Sequence, residues 1–378
     1  MFRSIFIAIF TVCLFLTAIP KLWFVFENFS YDVVIISVDS RVIKSEACVN
    51  FLESLSPQYP VLLIDNHVLQ SIHDEKCESL PTHSIKVAID KNYLNEETTR
   101  KVNNESQFEF IEMDNQTDYL RFETRPIRGI PKSFSSFTIG NILIPSNIPL
   151  FLEMWRRSVL LKCLNLQVER NRTESQQPNH GKDAVGKLAE LRDILLKFNM
   201  ISFLNGGTLL GWYRECNIIP HTGDMDIAVF ADDFRPELLQ YLLSRTSPFK
   251  LLRRIGKFND SFELTLTPKY GHKINTDLFL MYKEVDGNGS VTNWVGGGSL
   301  TEKYKYTYPE YDPWCAADLL GYLFWVTCSP RKMLIFEYGK FWYKDLPSSG
   351  YNWKKSAQNV QRNGEWRIEE LKQVYVVY

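Results

Sequence analysis

The spacing of hydrophobic positions changes several times along the chain, and each change predicts an element. Residues 5–19 form an uncharged, mostly apolar run interrupted only by Thr11, Cys13 and Thr17. After Pro20-Lys21 the run resumes through Leu22-Trp23-Phe24-Val25-Phe26. A membrane span needs about 20 apolar residues, and 5–26 meets that length when Lys21 extends its ammonium towards the headgroups. A cleaved leader asks for small residues before the cut. Leu16 stands where one is preferred, so a retained signal anchor is predicted over 1–27. Arg3 on the short side favours a cytoplasmic N-terminus and hence a luminal body, a single-pass type II arrangement. Cleavage is the alternative, and it delivers the rest of the chain to the same compartment.

Beyond the anchor, residues 31–38, 61–64 and 85–89 are rich in branched apolar residues bounded by polar ones, which predicts short strands. Residues 90–120 are polar and poorly periodic, and 134–148 read as extended structure or loop. Together 28–150 are expected to form a small α/β or β-rich stem domain, with His67, His73 and His83 on its surface. Residues 150–166 are apolar at helical spacing and run into a polar stretch with Pro178 and Gly181, giving a helix and linker over 151–183.

The pattern then sharpens. Val185, Leu188, Leu191, Ile194, Leu195 and Phe198 share one face of an amphipathic helix. A short strand at 201–204 ends at Gly206-Gly207. A second strand is expected at 226–230, a helix at 236–245, and strands at 262–266 and 274–282, with a turn at Asp286-Gly287-Asn288-Gly289. The fold class is α/β (α+β), a mixed, antiparallel-leaning sheet in a domain spanning 184–378.

Composition narrows the function. The 378 residues allow about two domains. A chain that is 45% hydrophobic and 23% charged can bury a core of ordinary size. Lys and Arg total 43 against 44 Asp and Glu, a formal net charge of -1, and no basic stripe stands out, so nucleic acid is not an expected partner. Glycosylation triplets begin at Asn28, Asn104, Asn115, Asn171, Asn259 and Asn288, consistent with a secretory route. Cys13 lies in the anchor. Cys48, Cys77, Cys163, Cys216, Cys315 and Cys328 could form three disulfides or remain buried thiols, and sequence leaves both open. No C-x-x-C pair suggests a structural zinc.

The candidate chemistry is concentrated between 205 and 277. Gly206-Gly207 follows a strand and opens a helix, where a bare backbone can approach a phosphate and free N–H groups favour anions. Asp224 and Asp226 are two apart at the start of a strand, so their carboxylates share a face and can offer hard oxygens to a divalent cation. Asp277 stands among apolar residues on a later strand, where an acid is costly without a partner. A cation shared with Asp224 and Asp226 would be such a partner; an ion pair with Lys269 or Lys273 is the simpler alternative. The order of strand, Gly-Gly, helix, Asp-x-Asp strand and later Asp is that of nucleotidyltransferase-type folds, although Gly207 to Asp224 is a longer separation than usual. Trp212, Trp353 and Trp366 are assigned to the core rather than to sugar platforms.

These motifs resemble the fukutin branch of the LicD/fukutin phosphotransferases. The resemblance is carried by Gly206 to Arg214, Cys216-Asn217-Ile218-Ile219-Pro220, Asp224-Met225-Asp226, Gly256-Lys257, Asp260 to Leu264 and Asp277-Leu278-Phe279. It continues through Tyr338-Gly339-Lys340, Trp353-Lys354-Lys355-Ser356, Asn359-Val360-Gln361, Asn363-Gly364 and Trp366. The resemblance covers about 184–378. Bacterial members carry an acid-rich run before the Asp-x-Asp, whereas this chain has Pro220-His221-Thr222-Gly223.

The resemblance implies a Golgi or ER membrane enzyme. It would move ribitol 5-phosphate from CDP-ribitol to a sugar hydroxyl of an O-mannosyl glycan, releasing CMP. Phosphocholine or another CDP-linked phosphoalcohol is the alternative cargo. An ordinary UDP-sugar glycosyltransferase and a non-catalytic luminal scaffold are competing readings. Mg²⁺ or Mn²⁺ would be held by Asp224, Asp226 and Asp277 as metal ligands and catalytic residues. Gly206, Gly207, Arg214, Glu263 and Lys340 would bind substrate. Expected partners are a CDP-alcohol donor, a glycoprotein glycan acceptor, the membrane through the anchor, and other luminal transferases.

Overall fold

The computed structural model describes residues 43, 45–55, 57–77, 84–168, 181–299, 301–311, 314–347 and 350–378. The expected anchor, the strand at 31–38, His83 and most of the polar linker lie outside these residues. Among the described residues, no helix is long and apolar enough to cross a membrane.

The N-terminal part is built on a seven-stranded mixed sheet. Inside it Val61–Leu63, buried along its length, pairs antiparallel with the central strand Ile85–Asp90 and parallel with Ile142–Pro145. The polar stretch 90–120 is more ordered than its composition suggests. It holds the helix Glu96–Asn104, closed by a capping box between Asn95 and Thr98, and the strand Phe108–Asn115. The segment 134–148 contains an antiparallel hairpin, Ser136–Ile139 with Ile142–Pro145, turning at Gly140 with φ +56°.

The apolar run at 150–166 is only partly helical. The helix Ile148–Arg156 is capped by Asn147, and the chain then extends. Leu160 donates to the Ile127 carbonyl and Ala316 donates to the Val159 carbonyl, and Leu160–Leu161 lies parallel to Trp314–Leu319. Pairing with two neighbours overrides a helical spacing that sequence cannot distinguish from a buried strand.

The second sheet has twelve strands. The helix Lys182–Lys197 buries Val185, Leu188, Leu191, Ile194 and Leu195 against it, the face expected from their spacing. Asp224–Phe230 is its inner strand, flanked by Phe203–Leu204 antiparallel and Asn275–Val285 parallel. From Phe249 onwards Phe249–Lys257, Asp260–Pro268, Asn275–Val285, Val291–Ser299 and Glu302–Pro309 pair antiparallel in sequence order.

The six cysteines from Cys48 onward pair, as Cys48–Cys77, Cys163–Cys216 and Cys315–Cys328, which resolves the alternatives left by sequence. Val38–Tyr378 is one compact unit, and the two sheets meet at a buried ion pair. Arg192, 1% exposed, donates to both carboxylate oxygens of Asp118 at 2.7 and 3.0 Å, to Asp193 and to the Leu323 carbonyl. Asp118 also accepts from the Leu323 N–H at 2.8 Å, and Tyr119 donates to Asp318 at 2.9 Å. Asp118→Ala should therefore lower unfolding free energy by about 3 kcal/mol, the low end for a broken buried pair because Asp193 remains. Urea denaturation checks this; a change under 1 kcal/mol would mean the pair is dispensable.

Candidate active site

The short strand Phe203–Leu204 delivers the chain to Asn205 and the helix Gly206–Glu215, which packs beside Asp224–Phe230. Gly206 has φ +49°, and a Cβ there would lie 3.0 Å from Asp226 Oδ2. The Gly207 N–H donates to that same oxygen at 3.0 Å, and the Thr208 hydroxyl accepts from the Asp226 N–H at 2.7 Å. The Gly-Gly pair thus makes room for, and hydrogen-bonds, the Asp226 carboxylate. Its expected role as a phosphate cradle is reduced accordingly, since the Gly207 N–H is already engaged.

Asp226 sits directly opposite Asp277 in the parallel register, and Asp224 occupies the same face of its strand two residues earlier. All three border one cavity of about 740 Å³. Thr222 donates to Asp224 at 3.3 Å, and Thr265 donates to Asp277. Lys269 and Lys273 are directed to backbone carbonyls instead, so the simple ion-pair explanation of Asp277 does not apply. Asp277 Oδ1 and Asn205 Oδ1 are buried and accept no hydrogen bond among the described residues.

Burial is the first cause that pushes each of these acids upward, and for Asp226, Asp277 and Glu263 neighbouring carboxylates add to it. Asp224 is raised by burial, and Asp226 is raised well above the usual range by burial and by Asp224, Asp277 and Glu337. Asp277 is raised to about 6 by burial and by Asp224. Glu263 reaches about 8 through burial and Asp277, despite Arg253 at 2.7 Å. This charge concentration, with two unsatisfied oxygens, suits a hard divalent cation. Among the described residues, however, no three acid, histidine or cysteine side chains are already closed into a metal-ligand cluster. The floor is acidic and open.

The other expected residues divide. Glu263 borders the cavity. Arg214 does too, but it is 2% exposed and its guanidinium donates to Glu215, to Asp345 at 3.1 Å and to the Lys344 carbonyl at 2.9 Å. It therefore pins the 342–345 segment rather than presenting donors to a phosphate. Lys340 is exposed, outside the cavity lining, with its ammonium 4.9 Å from the Phe341 ring centroid. Of the tryptophans, Trp212 and Trp366 are buried as expected, whereas Trp353 borders the cavity.

Two charged residues escaped sequence reading. Arg253 reaches the acidic floor from Phe249–Lys257, donating to Glu263 and to Thr265 at 2.9 Å. Glu337, on the helix Pro330–Tyr338, is buried at the cavity edge, accepts from the Tyr308 hydroxyl at 2.9 Å and is raised to about 7 by burial. Its position beside Tyr338-Gly339-Lys340 was the available signal; only the fold reveals that Glu337, not Lys340, faces inward.

The acidic floor and most of the mixed sheet fall within a segment that comparison with known proteins identifies. Residues 199–329 match the family described as LicD/FKTN/FKRP, nucleotidyltransferase domain, and 47–162 match the W02B3.4-like N-terminal domain. The chain is 57% identical over 369 residues to the uncharacterized protein T07A5.1 of Caenorhabditis elegans, covering 97% of each. It is 45% identical over 344 residues to W02B3.4 of the same organism, covering 90% of this chain and 87% of that one. The human ribitol-5-phosphate transferase FKTN is 33% identical over 186 residues, which is 49% of this chain and 38% of FKTN. The chain therefore carries a LicD/FKTN/FKRP domain and is fukutin-like over that part of its length.

The raised acids carry a sign that can be measured. Asp277, Glu337 and Glu263 hold protons in the folded chain that the unfolded chain releases near pH 4. The stability they supply is full below that pH and is lost as pH rises through about 6 to 8. In EDTA, the thermal midpoint should fall between pH 5 and pH 8. Asp277→Asn should raise stability at pH 8 by about 1–3 kcal/mol by removing a repelled charge. A midpoint that climbs with pH would contradict the burial of these groups.

Proposed function

We propose that the chain is a metal-dependent glycan phosphotransferase, moving ribitol 5-phosphate or a related phosphoalcohol from a CDP-linked donor to a sugar hydroxyl. The observation that carries this reading is the side-by-side register of Asp226 and Asp277, with Asp224 on the same face and Asp277 Oδ1 unsatisfied. The similarity to FKTN supports the phosphoalcohol class, and ribitol 5-phosphate is its first member to test.

Asp224, Asp226 and Asp277 would hold the Mg²⁺ or Mn²⁺. When bound, such a cation supplies positive charge to the diphosphate and its departing CMP. Arg253, already lodged between Glu263 and Thr265, brings a second positive charge to the phosphate region. The Asp226 carboxylate is kept in one orientation by the Gly207 N–H. Attack forms the bond between acceptor oxygen and phosphorus, breaks the bond to CMP and releases one proton. Glu337, raised to about 7, has a proton affinity suited to accept it near neutral pH, whereas Glu263, raised to about 8, keeps its own proton there.

We place this activity in the Golgi or ER lumen, on a type II membrane protein. Three disulfides support an oxidising compartment. Asn115, Asn259 and Asn288, acceptors of three of the glycosylation triplets, are exposed. The competing reading is a luminal scaffold without turnover, which the open arrangement of the floor would favour.

The full chain, incubated with CDP-ribitol, CDP-glycerol, CDP-choline and UDP-sugars, should release CMP from one CDP donor, and EDTA should stop it. Asp226→Asn should lower turnover at least about 10³-fold while leaving the circular dichroism spectrum unchanged. UDP-sugar turnover would replace this reading with a glycosyltransferase. Calorimetry showing no divalent-cation binding would favour the scaffold.

A further inference from the structure

The cavity has a second wall unlike the acidic floor. Tyr306, Tyr338, Tyr351 and Trp353 contribute to it, and none of the chemistry above uses them. Trp353 is the most informative. It is 38% exposed, while Trp212 and Trp366 are buried. An indole left open to water beside a cavity forgoes burial that a core tryptophan would gain.

The indole is open but held. Tyr304 packs edge-on against it with centroids 5.3 Å apart. The Tyr306 hydroxyl donates to the Trp353 carbonyl at 2.6 Å. The Lys354 ammonium, bonded to Ser299 Oγ at 2.7 Å, lies 5.4 Å from the ring centroid. Gly297 lies against the ring, and a Cβ there would come within 3.2 Å of Trp353 Cζ3. A side chain at 297 would press on the indole, so the ring and the bare backbone are fitted to each other. This is a rigid apolar surface fringed by an ammonium and hydroxyls, features that match the C–H face and hydroxyl rim of a pyranose.

We propose that Trp353 is the platform of a sugar-ring subsite that seats the acceptor glycan; calling the sugar an acceptor rests on the transferase reading. The position argues for the acceptor over the donor's base. The acids that would meet the donor's phosphates are buried, whereas a glycan attached to a protein can enter only from an open rim. Trp353 is at such a rim.

Two measurements separate this proposal from the reading it rests on. Saturation-transfer NMR on the full chain, with no donor or metal, uses methyl glycosides of mannose, galactose, N-acetylglucosamine and N-acetylgalactosamine as probes, with CMP alongside. At least one glycoside should bind wild type, Trp353→Phe should retain part of the signal, and Trp353→Ala should lose it. In the transfer assay, Trp353→Ala should raise the acceptor KM about tenfold, the scale of one stacking contact. The donor KM should stay unchanged. Gly297→Ala, which moves the ring without removing it, should raise the acceptor KM by a smaller factor.

Failure of transfer with glycoside binding intact would overturn the enzyme reading and leave the subsite standing. No glycoside binding to wild type, CMP binding lost in Trp353→Ala, or a raised donor KM would overturn the subsite. A Trp353→Ala protein that fails to fold hands the decision to Trp353→Phe and Gly297→Ala, whose unchanged acceptor KM would also overturn it.

Discussion

Repulsion between buried carboxylates is the constraint around which this domain is arranged. Asp226 and Asp277 face each other across a parallel pair of strands in a sheet that is otherwise largely antiparallel. Ions taken out of water are costly unless paired, and here burial raises every acid on the floor while mutual proximity adds to it at Asp226, Asp277 and Glu263. The parallel pairing itself requires a crossover. The chain supplies it with the helix Glu237–Leu243 and the hairpin of Phe249–Lys257 and Asp260–Pro268. That crossover also delivers Arg253 and Thr265 beside Asp277. The detour that makes the acidic floor geometrically possible therefore carries the residues that partly compensate it.

The Gly-Gly turn follows from the same constraint. A side chain at 206 would crowd Asp226, and the φ of +49° is one that glycine adopts without strain. Stability surrendered at the floor is offset at a distance from it. The Arg192–Asp118 pair and three disulfides lie outside the cavity lining, where a rigid scaffold can support an open and repulsive site without closing it.

Legibility in the sequence followed the range of the interactions involved. Asp224 and Asp226 were readable because period two on a strand fixes a shared face locally. Asp277 was readable because an acid in an apolar strand demands explanation. The helix Lys182–Lys197 announced itself by its spacing. Arg214 and Lys340 stood out by motif and charge, and neither reveals whether a side chain is pinned to a neighbour, as Arg214 is to Glu215 and Asp345, or turned outward, as Lys340 is. The strand at Val291–Ser299 gave little signal because Gly296-Gly297-Gly298 breaks the alternation, whereas Glu302–Pro309 carries a lysine–tyrosine alternation that is itself a strand pattern. Disulfide partners and the end of the helix at Arg156 depended on contacts far along the chain.

The distribution of these parts along the sequence bears on what a family can keep and what it can change. The acidic floor comes from residues 205–277, within a compact strand–helix–strand core whose register leaves little freedom: a one-residue slip would turn Asp226 away from Asp277. The aromatic wall comes from residues 306–356, in a late strand, a helix end and the irregular segment beyond it. Loops tolerate substitution better than paired strands. A chemistry carried by the floor can therefore persist while the wall is rebuilt for a different sugar. Likeness over the floor supports a reaction class, and under the proposed transfer the identity of the acceptor would be read at the wall.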